Sequence, residues 1–148
     1  MAPKNLSAAL LVLRLGGAFF LFAWASLKFI RPEWMVSVYN KTYGWEFVTN
    51  EFAYGVGVVQ LIVAVCFIIG YQRTAIYGFV VVIHSTGVAA AIPRMMNYST
   101  FPHNRYLTTV TALAAFVALF MMRESDKYTV DHIRNKRSEV AGGGDFSG

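Results

Sequence analysis

The sequence predicts an all-α integral membrane protein, a bundle of four membrane-spanning helices with both termini on the cytoplasmic side. The first observation is the composition: 56% of the residues are hydrophobic and only 14% are charged, whereas soluble domains carry about 25% charged residues. The second is a set of four long apolar segments, each close to the ~20 residues that a helix needs to cross a bilayer. The segments cover about residues 6–30, 52–71, 74–92 and 106–122 of a domain spanning 1–123, and a charged, then glycine-rich tail follows over 124–148.

The first apolar segment, Leu6–Ile30, has 25 residues. As a helix it is about 37 Å long, which exceeds the ~30 Å hydrocarbon core of a bilayer. Its charges are Arg14, well inside the segment, and Lys28, near its end. Residues 23–25 look like a signal-peptide cleavage site, but the apolar region is too long for a signal peptide and Arg14 interrupts it. We therefore expect a retained membrane span.

The stretch after this span is predicted to lie at the membrane surface. Pro32 ends the first helix, because proline disfavours helical geometry in the residue before it. Residues 34–51 are too polar to span and are dense in aromatic residues, among them Trp34 and Trp45. Such residues settle at the membrane–water interface. We expect an interfacial re-entrant or amphipathic loop that caps the bundle, with an ordinary aromatic belt as the alternative.

The second and third segments are predicted to form a hairpin. Two residues, Gln72 and Arg73, separate them, and so short a turn joins helices that run antiparallel. The second segment has one strongly polar side chain, Gln60, and the third carries His84 at its middle. Pro93 is expected to end the third helix.

Small residues on the third and fourth segments predict close contacts between helices. Each segment has a pair of small residues four positions apart, a spacing that lets neighbouring helix backbones approach. Together with two tryptophans of the aromatic stretch they make up the predicted interface, which consists of Trp34, Trp45, Gly87, Ala91, Ala114 and Ala118.

Basic residues predict the orientation of the bundle. With both termini on one side, that side holds seven lysines and arginines and the other side holds five, leaving Arg14 out of the count. Because cytoplasmic loops are enriched in basic residues, this excess predicts cytoplasmic termini. The charged tail from 123 to 140 is expected to extend the fourth helix by a few turns before fraying. Its basic residues suit anionic membrane lipids better than nucleic acid, since no basic stripe with base-reading residues is present.

Arg14 is the strongest candidate for a functional residue. A charge at membrane depth costs at least about 2.5 kcal/mol, so it normally faces protein, water or a ligand. None of the four apolar segments contains an aspartate or glutamate. One interpretation is that Arg14 extends to the lipid headgroups. The other is a ligand-binding polar cluster of Arg14, Gln60 and His84, with Lys28 as a further candidate.

The cysteine and histidine content argues against intrinsic cofactors. Cys66 is the only cysteine, which excludes an intrachain disulfide, a CxxC pair and a cysteine-based zinc cluster. A bis-histidine haem needs a second intramembrane histidine beside His84, and the three histidines are too dispersed for a metal motif. We expect no catalytic residue and no metal, and consider a bound quinone or phospholipid. The single cysteine and the lack of eukaryotic targeting signals are compatible with a bacterial inner membrane.

Several stretches match features of one family of membrane proteins. They are Arg14-Leu15-Gly16-Gly17 and Ser26-Leu27-Lys28-Phe29 in the first segment, then Gln60, Ala64, Gly70 and Arg73-Thr74-Ala75. On these residues the chain resembles the DoxX-like family of small four-helix membrane proteins over about residues 11–90. The resemblance implies an association with redox systems, since some relatives are subunits of thiosulfate:quinone oxidoreductase and others are accessory or assembly factors. The family usually has a glutamate where this chain has Gln60, and losing that acid favours a structural role.

These observations leave three hypotheses for the function. The first is a non-catalytic accessory subunit of a larger membrane redox or respiratory complex, with other subunits as its partners. The second is a quinone- or lipid-binding protein that uses Arg14, Gln60 and His84. The third is a membrane assembly factor that binds its client transiently. Transport is the weakest further possibility, because broken-helix signals and an internal repeat are not evident in the sequence.

Overall fold

The computed structural model describes residues 5–97, 99 and 107–142. These residues form α-helices and one short 3-10 turn, with no strand among them, so the predicted all-α class is confirmed. The helices are α1 (Leu6–Ile30), α2 (Pro32–Tyr43), α3 (Asn50–Ile69), α4 (Arg73–Met95), α5 (Leu107–Met121) and α6 (Val130–Gly142), and the 3-10 turn is Arg123–Ser125.

Three of these helices are long and apolar enough to cross a membrane. They are α1, α3 and α4, with 25, 20 and 23 residues. Over the described residues α5 is apolar but has only 15 residues, fewer than the ~17 of the shortest usual span. The predicted start of this helix at 106 lies outside the described residues. The structure therefore gives three candidate spans and one shorter apolar helix where the sequence predicts four spans.

The stretch predicted as an interfacial loop is mostly helical. The first helix ends at Ile30, as predicted, and α2 begins directly at Pro32. Proline suits this first helical position, because its fixed φ matches the helix and its missing N–H needs no partner there. The helix α2 ends at Tyr43, and Gly44 follows it with a φ of 67°, in the left-handed region that ends many helices. Residues 44–49 alone are non-helical in this stretch.

Two helix boundaries differ from prediction for local reasons. The helix α3 starts two residues early, at Asn50, because the Thr49 hydroxyl accepts a hydrogen bond from the Phe52 N–H at 3.4 Å and caps it. The predicted stop at Pro93 is wrong, since α4 continues through it to Met95. Proline costs a helix one hydrogen bond in its last turn, and only two helical residues follow it here.

The core lies between paired helices. The helix α1 packs chiefly against α3, and α4 chiefly against α5, while α1 also contacts α5. A Cβ on Gly17 would lie 2.8 Å from Phe116 and 3.3 Å from Phe67, so the glycine lets α1 close on two aromatic rings. The buried core consists of Leu10, Ala18, Phe67, Tyr77, Val80, Phe116 and Leu119.

The segment after α5 turns back into the bundle instead of extending the helix and fraying. After the 3-10 turn, Asp126 and Thr129 are almost fully buried, and α6 follows. The Ser7 hydroxyl at the start of α1 donates to the Ser125 carbonyl at 3.1 Å. The start of α1, the turn between α3 and α4, and residues 125–131 therefore lie at one end of the bundle. The predicted glycine-rich terminus from 143 onward lies outside the described residues.

A buried ion-pair cluster as candidate functional site

Arg14 finds its partner in the segment that follows α5. Its Nη1 donates to Oδ2 of Asp126 at 2.8 Å, and its Nη2 donates to the Tyr128 carbonyl. Arg14 is 2% exposed and Asp126 is fully buried. Charge-assisted hydrogen bonds are about twice as strong as neutral ones, so a carboxylate is a better partner than an amide or imidazole. Removing one member of such a buried pair costs about 3–5 kcal/mol, because the other charge is left uncompensated.

Tyr77 of α4 adds a second donor to the same carboxylate oxygen. Its hydroxyl donates to Oδ2 of Asp126 at 3.2 Å. Its ring packs on Phe67 of α3, with centroids 4.9 Å apart, and the side chain is buried in the core. The Asp126 carboxylate therefore connects α1 with α4, and the tyrosine ring extends that connection to α3.

Arg73, the first residue of α4, holds the backbone of the same turn. Its Nη1 donates to the carbonyl oxygens of Arg123 at 2.6 Å and Asp126 at 3.0 Å. Its guanidinium also lies 3.6 Å from Glu124 and 3.9 Å from Asp131. Since Glu124 is largely exposed, that contact adds little. Arg73 therefore adds a charged donor to two backbone carbonyls of this turn, which also accept hydrogen bonds from the Asp126 N–H and from the Thr129 hydroxyl.

Asp131 caps the N-terminus of α4 from 58 residues further along the chain. Its carboxylate oxygens accept hydrogen bonds from the backbone N–H groups of Gln72 at 3.0 Å and Arg73 at 2.8 Å. These are orphan donors of the first helical turn, and the helix dipole favours a negative charge there. The Asp131 N–H in turn donates to the Gly70 carbonyl at 3.4 Å. One residue thus joins the α3–α4 turn to the start of α6.

Gly70 allows this close approach. Its φ of 68° lies in the left-handed region, where a Cβ is strained. A Cβ here would lie 2.5 Å from Cγ2 of Thr129 and 3.0 Å from Nη1 of Arg14. A larger residue would collide with Thr129 and Arg14 and so would separate the segment that carries Asp126 from Arg14.

Most of the charged atoms of the cluster are bound within the protein itself. Both terminal nitrogens of Arg14 and one oxygen of Asp126 are engaged with the protein itself. Arg14 Nε and Asp126 Oδ1 are buried without a hydrogen-bond partner. Within the described ranges, no group of three or more histidine, cysteine or acidic residues is placed to hold a metal ion. Because its charged groups face one another, the arrangement can hold the connected chain segments together.

The other residues of the predicted polar cluster have separate surroundings. His84 Nε2 lies 3.2 Å from the Thr109 carbonyl, which makes it the donor of that bond, and its ring lies edge-on to Phe20 and Phe116. Gln60 is half-buried, and its Oε1 has no hydrogen-bond partner among the described residues.

Lys28 lies outside the cluster as well. It is 6% exposed, and its Nζ donates to the carbonyl of Trp24 on its own helix at 2.9 Å. In the part of the chain that the structure describes, no hydrogen bond joins Arg14, Gln60 and His84 to one another. The Arg14 guanidinium is instead buried within the protein on Asp126 and the Tyr128 carbonyl, away from the two predicted partners.

The predicted interface residues divide between covered and uncovered positions. Gly87 and Ala114 are exposed, Ala118 is half-buried, and Ala91 is buried. Trp34 packs on the Trp24 ring at 5.5 Å but keeps 41% of its surface exposed. That these positions bind another chain stays a prediction.

Trp45 lies in an aromatic group beside α2. Its ring centroid is 5.5 Å from Tyr39, 5.4 Å from Tyr43 and 5.6 Å from Phe47. The rings pack against one another, and both Trp45 and Phe47 remain exposed. This arrangement agrees with the predicted concentration of aromatic residues at one end of the bundle.

The comparisons with known proteins give no match: no family model, curated protein or solved structure matches this chain. The DoxX-like resemblance therefore stays a prediction based on the residues quoted for it.

Proposed function

We propose that this chain is a non-catalytic accessory subunit of a larger membrane redox or respiratory complex, which it stabilises through helix packing. The observation that carries the proposal is the buried ion pair between Arg14 and Asp126. Catalysis or substrate binding by Arg14 would need at least one of its terminal nitrogens to face a substrate. Both are instead bound to Asp126 and to the Tyr128 carbonyl, so the strongest charge in the apolar helices serves the fold.

Uncovered small residues on α4 support helix packing as the molecular role. Gly87 is exposed, and a Cβ built on it would meet nothing within 4 Å. Its neighbours Thr86 and Ala89 are also small and exposed. In membranes, helices associate through small residues, because their backbones can then approach closely. A helix of another subunit would fit this part of α4 without rearranging the described chain.

The redox association and the membrane location in this proposal rest on the sequence. The DoxX-like resemblance favours a respiratory or thiosulfate-oxidising complex. The single cysteine and the lack of eukaryotic targeting signals are compatible with a bacterial inner membrane, and the count of basic residues favours cytoplasmic termini. The end of the bundle that carries the ion-pair cluster would then face the cytoplasm. The aromatic end with α2 would face the periplasm.

The quinone- or lipid-binding alternative has less support from the geometry. It requires Arg14, Gln60 and His84 to face one ligand. Arg14 binds Asp126 instead, and His84 binds the Thr109 carbonyl. An assembly factor would use the same small surface of α4, but it would leave its client once the mature complex had formed.

A gentle native extraction of the tagged protein, followed by mass spectrometry and an optical spectrum, tests the proposal. We expect stoichiometric co-purification with a haem, copper or flavin enzyme. Substoichiometric recovery with immature subunits only would indicate an assembly factor. A monomer recovered without a partner from native membranes would contradict the accessory-subunit function.

Two matched variants show whether the small surface of α4 mediates the association. We expect Gly87→Leu to lose the partner, because leucine fills the space that a neighbouring helix would need. Gly16→Leu is the control, since Gly16 also has nothing within 4 Å of a built Cβ. Its face of α1 carries the large exposed side chains Val12 and Phe19. Equal partner recovery with both variants would show that this surface of α4 does not mediate the association.

A further inference from the structure

The helix α6 is fastened to the bundle at its first turn and is uncovered beyond it. Thr129 caps the helix, its hydroxyl accepting a hydrogen bond from the His132 N–H at 3.2 Å, and Asp131 binds the start of α4. From residue 133 to residue 140, every position is exposed. The anchored turn therefore fixes where α6 begins and leaves the rest of it available for contact.

The position of the anchor places α6 at a membrane surface. Asp131 binds the backbone of Gln72 and Arg73, which lie between the last residue of α3, Ile69, and the first turn of α4. Both helices are candidate spans. A residue that caps the end of a span lies at the boundary between the hydrocarbon core and the headgroups. The helix α6 therefore starts at that boundary.

One side of α6 combines apolar and basic residues. Ile133 and Val140 are 60% and 74% exposed, and they recur with the helical repeat of about 3.6 residues, next to Arg137. Two open concavities flank this position, and basic side chains line both. The first is lined by Lys127, His132, Ile133, Lys136, Arg137 and Val140, and the second by Val130, Ile133, Arg134 and Arg137.

The charge of this segment is one-sided. Between 127 and 140 there are four lysines and arginines against two carboxylates. Asp131 is engaged with the backbone of α4. Glu139 lies about 100° to 120° around the helix from Val140 and Ile133. The side of α6 that carries the apolar stripe is therefore basic.

We propose that α6 is an interfacial helix that binds the anionic phospholipids of the bilayer in which the chain's own spans lie. Arg134, Lys136 and Arg137 bind the headgroup phosphates, while Ile133 and Val140 enter the interface. A basic helix with an apolar stripe binds such a surface through buried apolar area and electrostatic attraction to anionic lipids. This inference is independent of the proposed function, since it concerns lipid and not a protein partner.

Single-cysteine fluorescence in lipid nanodiscs tests the proposal, because a nanodisc presents the same lipid on both faces whatever the orientation of the protein. With Cys66→Ser as background, an environment-sensitive fluorophore is attached at Val140→Cys, on the apolar stripe, or at Asn135→Cys, on the other side of α6. Each protein is measured in phosphatidylcholine alone and in phosphatidylcholine with phosphatidylglycerol, roughly three to one. A quencher attached to the lipid reports contact with the bilayer.

We expect quenching and a blue shift at Val140→Cys that increase with phosphatidylglycerol and decrease with salt, and neither change at Asn135→Cys. The pair Arg134→Gln with Arg137→Gln should weaken the association by on the order of 30-fold, at about 5-fold for each cation. The control pair Arg31→Gln with Lys41→Gln removes the same charge at the other end of the bundle and should change nothing.

Three results would overturn the proposal. The first is equal quenching in both lipids. The second is water exposure of both probes in phosphatidylglycerol. The third is a blue shift at Val140→Cys that depends on protein concentration and not on lipid, which would identify a second copy of the chain as the occupant of this face.

Discussion

The guanidinium of Arg14 and the carboxylate of Asp126 form a buried ion pair, with Nη1 and Oδ2 2.8 Å apart, across 112 positions of the chain. Arg14 belongs to the first helix, and Asp126 to the turn that follows α5. The pair therefore closes the bundle by joining the beginning of its fold to the end. It also shows how an arginine inside an apolar helix is satisfied when the apolar segments have no carboxylate of their own.

Asp131 should stabilise α4 as an N-terminal cap. We expect Asp131→Ala to lower the free energy of unfolding by about 1 kcal/mol, which is typical for the loss of a cap. Hydrogen exchange at the amides of Gln72 and Arg73 should speed up, because these two N–H groups lose their acceptor. Glu139→Ala on the exposed part of α6 is the control. Unchanged exchange at both amides would show that the cap does not form in solution.

Gly70 should tolerate no side chain. We expect Gly70→Ala to destabilise the protein by about 2 kcal/mol or more, since it combines left-handed backbone strain with crowding against Thr129. Gly16→Ala is the matched control, because its Cβ has open space and alanine is about 1 kcal/mol better than glycine inside a helix. Denaturant unfolding in detergent measures both variants. Equal stability of the two would contradict the close approach at Gly70.

The hydroxyl of Tyr39, on α2, should lose its proton at a higher pH than an ordinary tyrosine. Burial, and secondarily the neighbouring Tyr43, raise the pKa of the Tyr39 hydroxyl above its ordinary value. Because the folded-state pKa is the higher one, the stabilisation is complete below the ordinary tyrosine pKa and is lost as the pH rises through the folded-state pKa. The ultraviolet tyrosinate signal of the wild type should therefore contain a late component that becomes smaller in Tyr39→Phe. Loss of an early component in this variant would contradict the raised pKa.

Local features of the sequence predicted most of the helices. A long apolar run predicted the boundaries of α1. A short turn is predicted between the next two helices at Gln72 and Arg73, and the structure has it at residues 70–72, with Arg73 already in α4. The helix α2 was predicted as a loop because the stretch is too polar to span a membrane. Its end signals are nevertheless present in the sequence, with Pro32 at the first helical position and Gly44 directly after the last residue.

The site could be predicted only in part, because its partners are far apart in the chain. Arg14 stands out as a charge in an apolar helix, but its partner lies in the tail and not in the apolar segments. Two signals point to Asp126. Arg14 lies only about 12 Å along the helix from Leu6. The first carboxylates after the fourth segment lie at that same end of the bundle. The roles of Tyr77 and Asp131 depend on tertiary contacts that no local pattern carries.

A double-mutant cycle on Arg14 and Asp126 tests the central claim most directly, namely that this buried pair fastens the tail to the bundle. The free energy of unfolding is measured in detergent for Arg14→Met, Asp126→Asn and the double variant. An exposed pair on α6, Arg134→Met with Glu139→Gln, serves as the control. We expect each core variant to cost about 3–5 kcal/mol and the double variant no more than either, because removing both charges leaves none uncompensated. Costs that simply add, as we expect for the control pair, would contradict the ion pair and the structural role assigned to it.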